Sequence, residues 1–171
     1  VPLSTLAFTL APLLINNFNI LNILENGVSG TSKIYSTFED KIIEKNINKM
    51  VAVPNMKIVL DAENDIYLDI LFPDRDVSKF ESNETSIVCR LVYGKRSFML
   101  TGDADIYVEN LIAWNEPDNI INSDILKLGH HGSKNSSSFI WLKKVSPLFA
   151  IISAGVDNRY GHPSQEVLER L

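Results

Sequence analysis

Cysteine is almost absent from this sequence, which has one in 171 residues. A single thiol cannot form a disulfide within the chain, so cysteine usage does not identify the cellular compartment. Cys89 lies inside an apolar, strand-like run. We therefore expect it to be a small buried side chain and not a reactive group.

A surplus of positive charge is also absent. The chain has 16 Lys and Arg against 21 Asp and Glu, a net charge of −5, and no basic stripe. This balance gives no support to non-specific nucleic-acid binding through phosphate attraction, although a bound cation can reverse the potential of a single site. With 45% apolar and 22% charged residues, the composition is that of a soluble globular protein of one domain.

The opening of the chain lacks charge, because no charged residue precedes Glu25. A signal peptide would begin with basic residues, and a membrane span needs about 20 uninterrupted apolar residues. Pro2 and Pro12 interrupt the apolar run, and four asparagines follow it: Asn16, Asn17, Asn19 and Asn22. We therefore predict a buried helix here, as against a membrane or export segment. The chain starts with Val1 and not Met, and we expect it to be a piece of a longer protein.

The rest of the chain alternates between strand and helix patterns, which predicts an α/β (α+β) fold. Predicted strands are NILENG, KMVAV, MKIVL and IYLDILF, followed by a hairpin in TSIVCRLVYGKRSFMLTGD around Gly94 and Lys95. Later strands are SDILKL and LFAIISAG, whose near-continuous apolar character predicts burial on both faces. Predicted helices are SKIYSTFEDKIIEKN, DADIYVENLIAW, SFIWLKKV and SQEVLERL. Antiparallel strands come first and then alternate with helices, which is typical of a mixed α/β sandwich.

Unusual polar residues follow three successive predicted strands. Asp103 comes after FMLTG, His130 and His131 after ILKLG, and His162 after AIISAG and a short loop. These are the only three histidines of the chain. Glycines beside them let the backbone turn and leave space around the side chains. Carboxylate and imidazole groups are ligands of zinc and manganese, so the pattern indicates a metal site at one sheet edge.

Simpler interpretations apply to each position. One alternative is that Asp103, together with Asp105, caps the next helix. Another is that each histidine beside a glycine is an ordinary turn residue. An unrelated α/β domain in which the histidines fall at strand ends by coincidence is the simplest alternative to a functional site. The recurrence at three strand ends favours the metal site.

The same stretches resemble the metallo-β-lactamase fold. NETSIVCRLVYGKRSFMLTGD, DILKLGHHGSKNSSS and PLFAIISAGVDNRYGHPSQEVLERL are similar, in order, to motifs of the hydrolase domain at the C-terminus of the competence protein ComEC and its free-standing relatives. The resemblance covers about residues 20–171. It implies a four-layer αββα sandwich with metals at one edge of the two sheets, here in incomplete form.

The resemblance also implies roles for individual residues. Asp103 would bridge two metals, and further ligands would be His162 and one histidine of the adjacent pair, with His130 preferred to His131. His131 would assist catalysis together with Asp103. The substrate phosphate would contact four residues: Asn83, Ser86, Ser133 and Lys134. For Asn83 a plain loop cap, and for Lys134 a solvated surface position, remain open.

The main departure from the family lies at the beginning. The family's HxDxDH or HxHxDH motif requires histidines, and none precedes His130. Upstream of APLLINNFNI, where the ligands belong, the sequence offers no such group: Thr5, Ala7, Thr9 and Leu10. We therefore expect a single partial domain over residues 1–171 that lacks the first strands, the main metal motif and the last strand. Such a loss would leave an exposed sheet edge and a partly uncovered apolar face.

The expected function is metal-dependent hydrolysis of a phosphodiester, in DNA or a small phosphoester, by the complete parent protein. The cofactor would be Zn or Mn, two ions in the family and at most one with this chain alone. The alternative is a degenerate, non-catalytic binding or scaffold module. Location stays open: a soluble domain, extracytoplasmic if it belongs to a ComEC-like membrane protein, with membrane association only through segments outside this sequence.

Overall fold

A computed structural model describes the backbone of residues 3–171 and the side chains from residue 10 onwards. The sequence-based expectations for the side chains of Thr5, Ala7 and Thr9 therefore lie outside the described residues. The chain divides into two compact units, Val1–Ala52 and Val53–Leu171. Each unit is described by itself.

The first unit pairs two helices with two short parallel strands. Its elements are α1 (Leu3–Asn17), β1 (Asn22–Glu25), α2 (Lys33–Glu44) and β2 (Asn48–Val51). Ser32 begins α2, because its side chain accepts a hydrogen bond from the backbone N–H of Tyr35. The core consists of five buried side chains: Ile15, Tyr35, Phe38, Ile42 and Ile47.

Helix α1 confirms the predicted helix but not its predicted burial. Ile15 is buried, whereas Leu10, Leu13 and Leu14 are about half exposed. The expectation failed because uniform apolarity gave no amphipathic face from which to identify the buried side. Within the part of the chain that the structure describes, no helix has the length and apolar character needed to cross a bilayer.

The second unit is built on a six-stranded sheet with its strands in chain order. These strands are β3 (Lys57–Asp61), β4 (Ile66–Phe72), β5 (Val88–Tyr93), β6 (Arg96–Leu100), β7 (Ile125–Lys127) and β8 (Phe149–Ile151). Strands β3 to β6 are antiparallel neighbours, and β6, β7 and β8 run parallel. The predicted hairpin between β5 and β6 is confirmed, with Gly94 at a positive φ of 56°.

Four α-helices accompany this sheet: α3 (Ile106–Asn115), α4 (Asp118–Ile121), α5 (Phe139–Val145) and α6 (Gln165–Leu168). Two short 3₁₀ helices, Ser82–Thr85 and Gly129–Gly132, lie in the same unit. Helix α3 packs against α5. The fully buried apolar side chains include Val108, Ile112, Trp141 and Val145 from these helices and Met99 and Leu126 from the sheet. The chain is thus α+β, as predicted, and the four-layer sandwich stays a prediction.

One burial prediction for the sheet is wrong, and the one for Cys89 is confirmed in part. Strand β8 was expected to be buried on both faces, but it is one of the two edge strands of this sheet, with Phe149 67% and Ile151 50% exposed. An edge strand has a neighbour on one side only, and its apolar sequence does not reveal this. Cys89 is partly and not fully buried. Burial raises the pKa of its thiol to about 11.

Candidate functional site

The parallel pairing of β6, β7 and β8 brings their ends to one sheet edge. Leu100 pairs with Lys127 and Lys127 with Ile151 at the last position of each strand. The segments that follow these three residues therefore leave the sheet side by side. They carry the predicted aspartate and histidines.

Asp103 is held against His131. Oδ1 of Asp103 lies 3.2 Å from Nε2 of His131, and both side chains are about three-quarters buried. Nδ1 of the same ring lies 2.6 Å from the carbonyl oxygen of Ser153. Both ring nitrogens of His131 thus face oxygen acceptors, which fixes the plane of the imidazole.

His130 lies between Asn83 and His162. Its Nδ1 is 3.4 Å from Nδ2 of Asn83, and its ring meets that of His162 edge-on, with the centroids 5.7 Å apart. Its backbone N–H donates to the carbonyl of Gly102 at 3.2 Å. His130 and His131 both adopt left-handed backbone angles, φ 46° and 58°, so consecutive side chains can take separate partners.

His162 is positioned by Asn158 and Tyr160. The Asn158 side chain accepts from the His162 backbone N–H at 3.0 Å and donates to its carbonyl at 2.5 Å. The Tyr160 ring stacks on the imidazole, with the centroids 5.8 Å apart. Burial, followed by the nearby His130 and His131, lowers the pKa of His162. Its Nδ1 is buried without a hydrogen-bond partner among the described residues.

Gly132 allows the two histidine segments to approach each other. It has a φ of +80°, and a Cβ atom there would lie 2.8 Å from Cβ of Pro163. The Gly132 carbonyl accepts from the backbone N–H of Ser164 at 2.9 Å. A larger residue would push the segments of His130 and His162 apart, which agrees with the space expected of glycine here.

The predicted substrate-contacting residues are less closely gathered. The Ser86 hydroxyl accepts from the Asp103 backbone N–H at 3.2 Å, so it lies at the site. The Ser133 hydroxyl accepts from the Asn135 backbone N–H and is buried in its own loop. Lys134 is exposed. The structure thus joins six predicted residues, namely Asn83, Ser86, Asp103, His130, His131 and His162.

Asp105, and not Asp103, caps the next helix. Oδ1 of Asp105 accepts from the backbone N–H groups of Tyr107 and Val108 at 3.0 and 3.2 Å. This supplies acceptors for two N–H groups that have no partner within α3. The Asp103 carboxylate is consequently not needed as a cap.

The sequence analysis missed Glu109. Its carboxylate is fully buried and accepts from the backbone N–H groups of Ser137 and Ser138 at 2.7 and 2.8 Å. Burial raises its pKa to about 8, although the two hydrogen bonds act in the opposite direction. It anchors the loop after the histidine pair. The available signal was its spacing from Ile112 and Ala113, which places a charge on the buried face of α3.

A metal ion was expected on Asp103, His130 and His162. Among residues 10–171, no group of three or more His, Cys, Asp or Glu side chains is arranged to hold a metal ion. The side chains form two pairs, Asp103 with His131 and His130 with His162. The Zn or Mn site on Asp103, His130 and His162 therefore stays a prediction, and three such ligands would need a further ligand to complete a four-coordinate site.

Comparisons with known proteins identify relatives. The chain is 35% identical over 135 residues, 78% of its length, to ComE operon protein 3 of Bacillus subtilis (strain 168). It is 40% identical over 91 residues, 53% of its length, to Competence protein ComA of Neisseria gonorrhoeae. It is 39% identical over 106 residues, 62% of its length, to Recombination protein 2 of Haemophilus influenzae (strain ATCC 51907 / DSM 11121 / KW20 / Rd). No family model matches the chain.

These similarities support the predicted kinship with ComEC-like proteins. The chain spans only 17%, 13% and 13% of the length of these three curated relatives. It therefore corresponds to a small part of each of them. The metallo-β-lactamase fold and the roles of the site residues stay predictions.

Proposed function

We propose that this chain is part of a phosphodiester hydrolase that works in DNA uptake, and that its substrate is DNA or a small phosphoester. Relatives named for competence and recombination support the link to DNA uptake. The resemblance of the TGD, GHHGS and GHP motifs to ComEC-like hydrolases supports the reaction.

The observation that carries the proposal is the meeting of Asp103 and three histidines beyond three parallel strands. Hydrolysis of a phosphodiester needs groups that move protons to and from oxygen and groups that stabilise charge on the phosphoryl oxygens. Imidazole and carboxylate side chains serve the first need. In this proposal His131, whose two ring nitrogens face Asp103 and the Ser153 carbonyl, orients the Asp103 carboxylate, and Asp103 accepts the proton of the reacting water.

Charge on the phosphoryl oxygens would be stabilised by hydrogen-bond donors of four further residues. The amide of Asn83, the hydroxyls of Ser86 and Ser133 and the ammonium of Lys134 are groups that bind phosphate oxygens. Asn83 lies within 3.4 Å of His130, and Ser86 within 3.2 Å of the Asp103 backbone. Ser133 and Lys134 would need the loop after the histidine pair to turn toward the substrate.

We propose that a complete Zn or Mn site forms only in a longer protein that contains this chain. Asp103, His130 and His162 would contribute ligands there, and residues outside this sequence would complete the set. With this chain alone we propose at most one ion, because three candidate ligands cannot hold two.

The proposal is tested by measuring diesterase activity of the complete encoded polypeptide with added Zn or Mn. Bis(p-nitrophenyl) phosphate and single-stranded DNA are suitable substrates. Asp103→Asn should lower kcat/KM by about 100-fold or more, because proton-transfer groups typically contribute that much. Asp105→Asn is the matched control: it keeps a capping oxygen two residues away and should stay close to the parent activity. Equal activities of the two variants, or no activity in the parent, would contradict the proposal.

A degenerate, non-catalytic module is the second candidate. Two observations favour it: Asp103 is already paired with His131, and no metal-holding group occurs in the described part of the chain. Calorimetric titration of the complete encoded polypeptide with Zn or Mn discriminates between the candidates. Tight binding of two ions would exclude the degenerate module, whereas no binding by the complete polypeptide would favour it.

A further inference from the structure

Lys127 is a partly buried cation that the sequence-based site did not include. It is the last residue of β7, paired with Leu100 of β6 and Ile151 of β8, and it lies three residues before His130. Burial lowers the pKa of its ammonium group, and the negative charge of Asp103 opposes this shift. The two charges therefore act on each other at the same sheet edge.

The ammonium group of Lys127 has few partners within the protein. Nζ donates to the carbonyl oxygen of Leu128 at 3.2 Å. Among residues 10–171, no carboxylate forms an ion pair with it, although seven other ion pairs of Lys or Arg occur there. An ammonium carries three N–H donors, and the other two have no hydrogen-bond partner among the described residues.

Arg170, a cation near the loop that follows the histidine pair, differs in this respect. Its guanidinium donates to the carbonyl oxygens of Lys134, Ser136 and Ser137 at 2.8 to 3.2 Å. The Arg170 guanidinium is thus hydrogen-bonded to the loop that follows the histidine pair. Lys127 is instead a partly buried positive charge whose remaining donors have no partner among the described residues, so an anion can bind it without breaking a contact within the protein.

We propose that Lys127 is a phosphate-binding residue of this site, and that its ligand is a phosphoryl group, either of a diester or of free phosphate. The choice of anion rests on the proposed function. The ammonium would bind one non-bridging oxygen as a point charge and hold the phosphoryl group next to Asp103 and the histidines.

Binding of phosphate to the whole chain without added metal tests this inference. The probes are inorganic phosphate, followed by 31P line broadening, and a short single-stranded oligothymidylate, followed by fluorescence anisotropy at several salt concentrations. The variants are Lys127→Gln, which removes the charge, and Lys127→Arg, which keeps it. Lys95→Gln is the matched control: Lys95 is exposed in the turn before β6, at the opposite end of that strand from Asp103.

The expected result is weaker binding by Lys127→Gln alone, by about tenfold or more, as for loss of a hydrogen bond to a charged group. The slope of log affinity against log salt for the oligothymidylate should fall by about 0.7, the value for one phosphate contact to a single strand. Binding of inorganic phosphate as well would indicate that free phosphate suffices, and binding of the oligothymidylate alone would identify the diester as the ligand. Circular dichroism of each variant confirms that its fold is kept.

Three results would overturn the inference. They are unchanged binding by Lys127→Gln, an equal loss in Lys95→Gln, and no binding of either probe by the unmodified chain. The diesterase assay with Asp103→Asn is independent of all three, because it measures turnover by the complete polypeptide. Failure of the Lys127 inference is thus distinguishable from failure of the proposed hydrolase.

Discussion

Glu109 links the core of the second unit to the histidine loop, and its ionisation should be visible in stability. Its pKa of about 8 lies above the ordinary value of 4.5 because the carboxyl is buried. The folded state therefore holds a proton that the unfolded chain releases between about pH 4.5 and 8. Because the folded state binds more protons in this interval, the free energy of unfolding should fall as pH rises through it and level off above it.

The variant Glu109→Gln should lack this component of the pH dependence, since its side chain does not ionise. The measurement is urea unfolding of the parent and variant at several values between pH 4.5 and 8. Glu63→Gln, at an exposed carboxylate, is the control and should follow the parent curve. Parallel curves for the parent and Glu109→Gln would show that Glu109 does not titrate in this interval.

The sequence identified the polar residues of the site better than their contacts. Asp103, His130, His131 and His162 were recognisable because glycine and a strand end precede each segment. The contact between Asp103 and His131 could not be recognised from the sequence, because the left-handed backbone angles at the two consecutive histidines are not visible there. Glu109 and Lys127 were missed because burial of a charge depends on contacts between elements distant in the chain.

Two serines at helix starts offer a matched pair of capping tests. The Ser138 hydroxyl accepts from the Trp141 backbone N–H at the start of α5 and donates to Asn110 Oδ1 at 2.9 Å. Ser164 precedes α6, but its hydroxyl is buried without a partner among the described residues. Ser138→Ala should lower the free energy of unfolding by about 1 kcal/mol. Ser164→Ala should change it by less than about 0.5 kcal/mol, or raise it.

Thermal and urea unfolding of the two variants provide the measurement. A loss at Ser164 as large as that at Ser138 would mean that the Ser164 hydroxyl has an unseen hydrogen-bonding role. A negligible change in the free energy of unfolding for Ser138→Ala would mean that Asn110 or solvent accepts the hydrogen bond from the Trp141 N–H in place of the serine hydroxyl.

Among the secondary-structure elements, periodic patterns were reliable and short ones were not. The β5–β6 hairpin and helices α2 and α3 were predictable because alternating or helical spacing extends over ten or more residues. Helix α4 and the turn Ser82–Thr85, each four residues long, gave no periodic signal. The exposure of β8 could not be predicted because an apolar run is the same at the edge and in the centre of a sheet.

The division into two units predicts different behaviour for the two parts of the chain. Residues 53–171 contain the six-stranded sheet and most of the fully buried side chains. Expressed alone, this fragment should fold and melt cooperatively. Residues 1–52 have a core of five side chains and a two-stranded sheet, which is below what a domain of this size usually needs. This fragment should be largely unfolded.

Far-UV circular dichroism and the dispersion of amide proton resonances would measure both outcomes. A fragment of residues 53–171 with helical signal but without dispersed resonances would contradict the prediction. A folded fragment of residues 1–52 would show that its small core suffices.

The position of Cys89 has a practical consequence for spectroscopy. The chain carries a single thiol, on a central strand, whose pKa of about 11 keeps it protonated at neutral pH. Alkylating reagents react with the thiolate, so modification of the native protein is slow until the sheet opens. A second cysteine introduced at an exposed position can therefore carry a spin label or fluorophore selectively. The rate at which the native thiol of Cys89 is alkylated then measures how often the strands around it open.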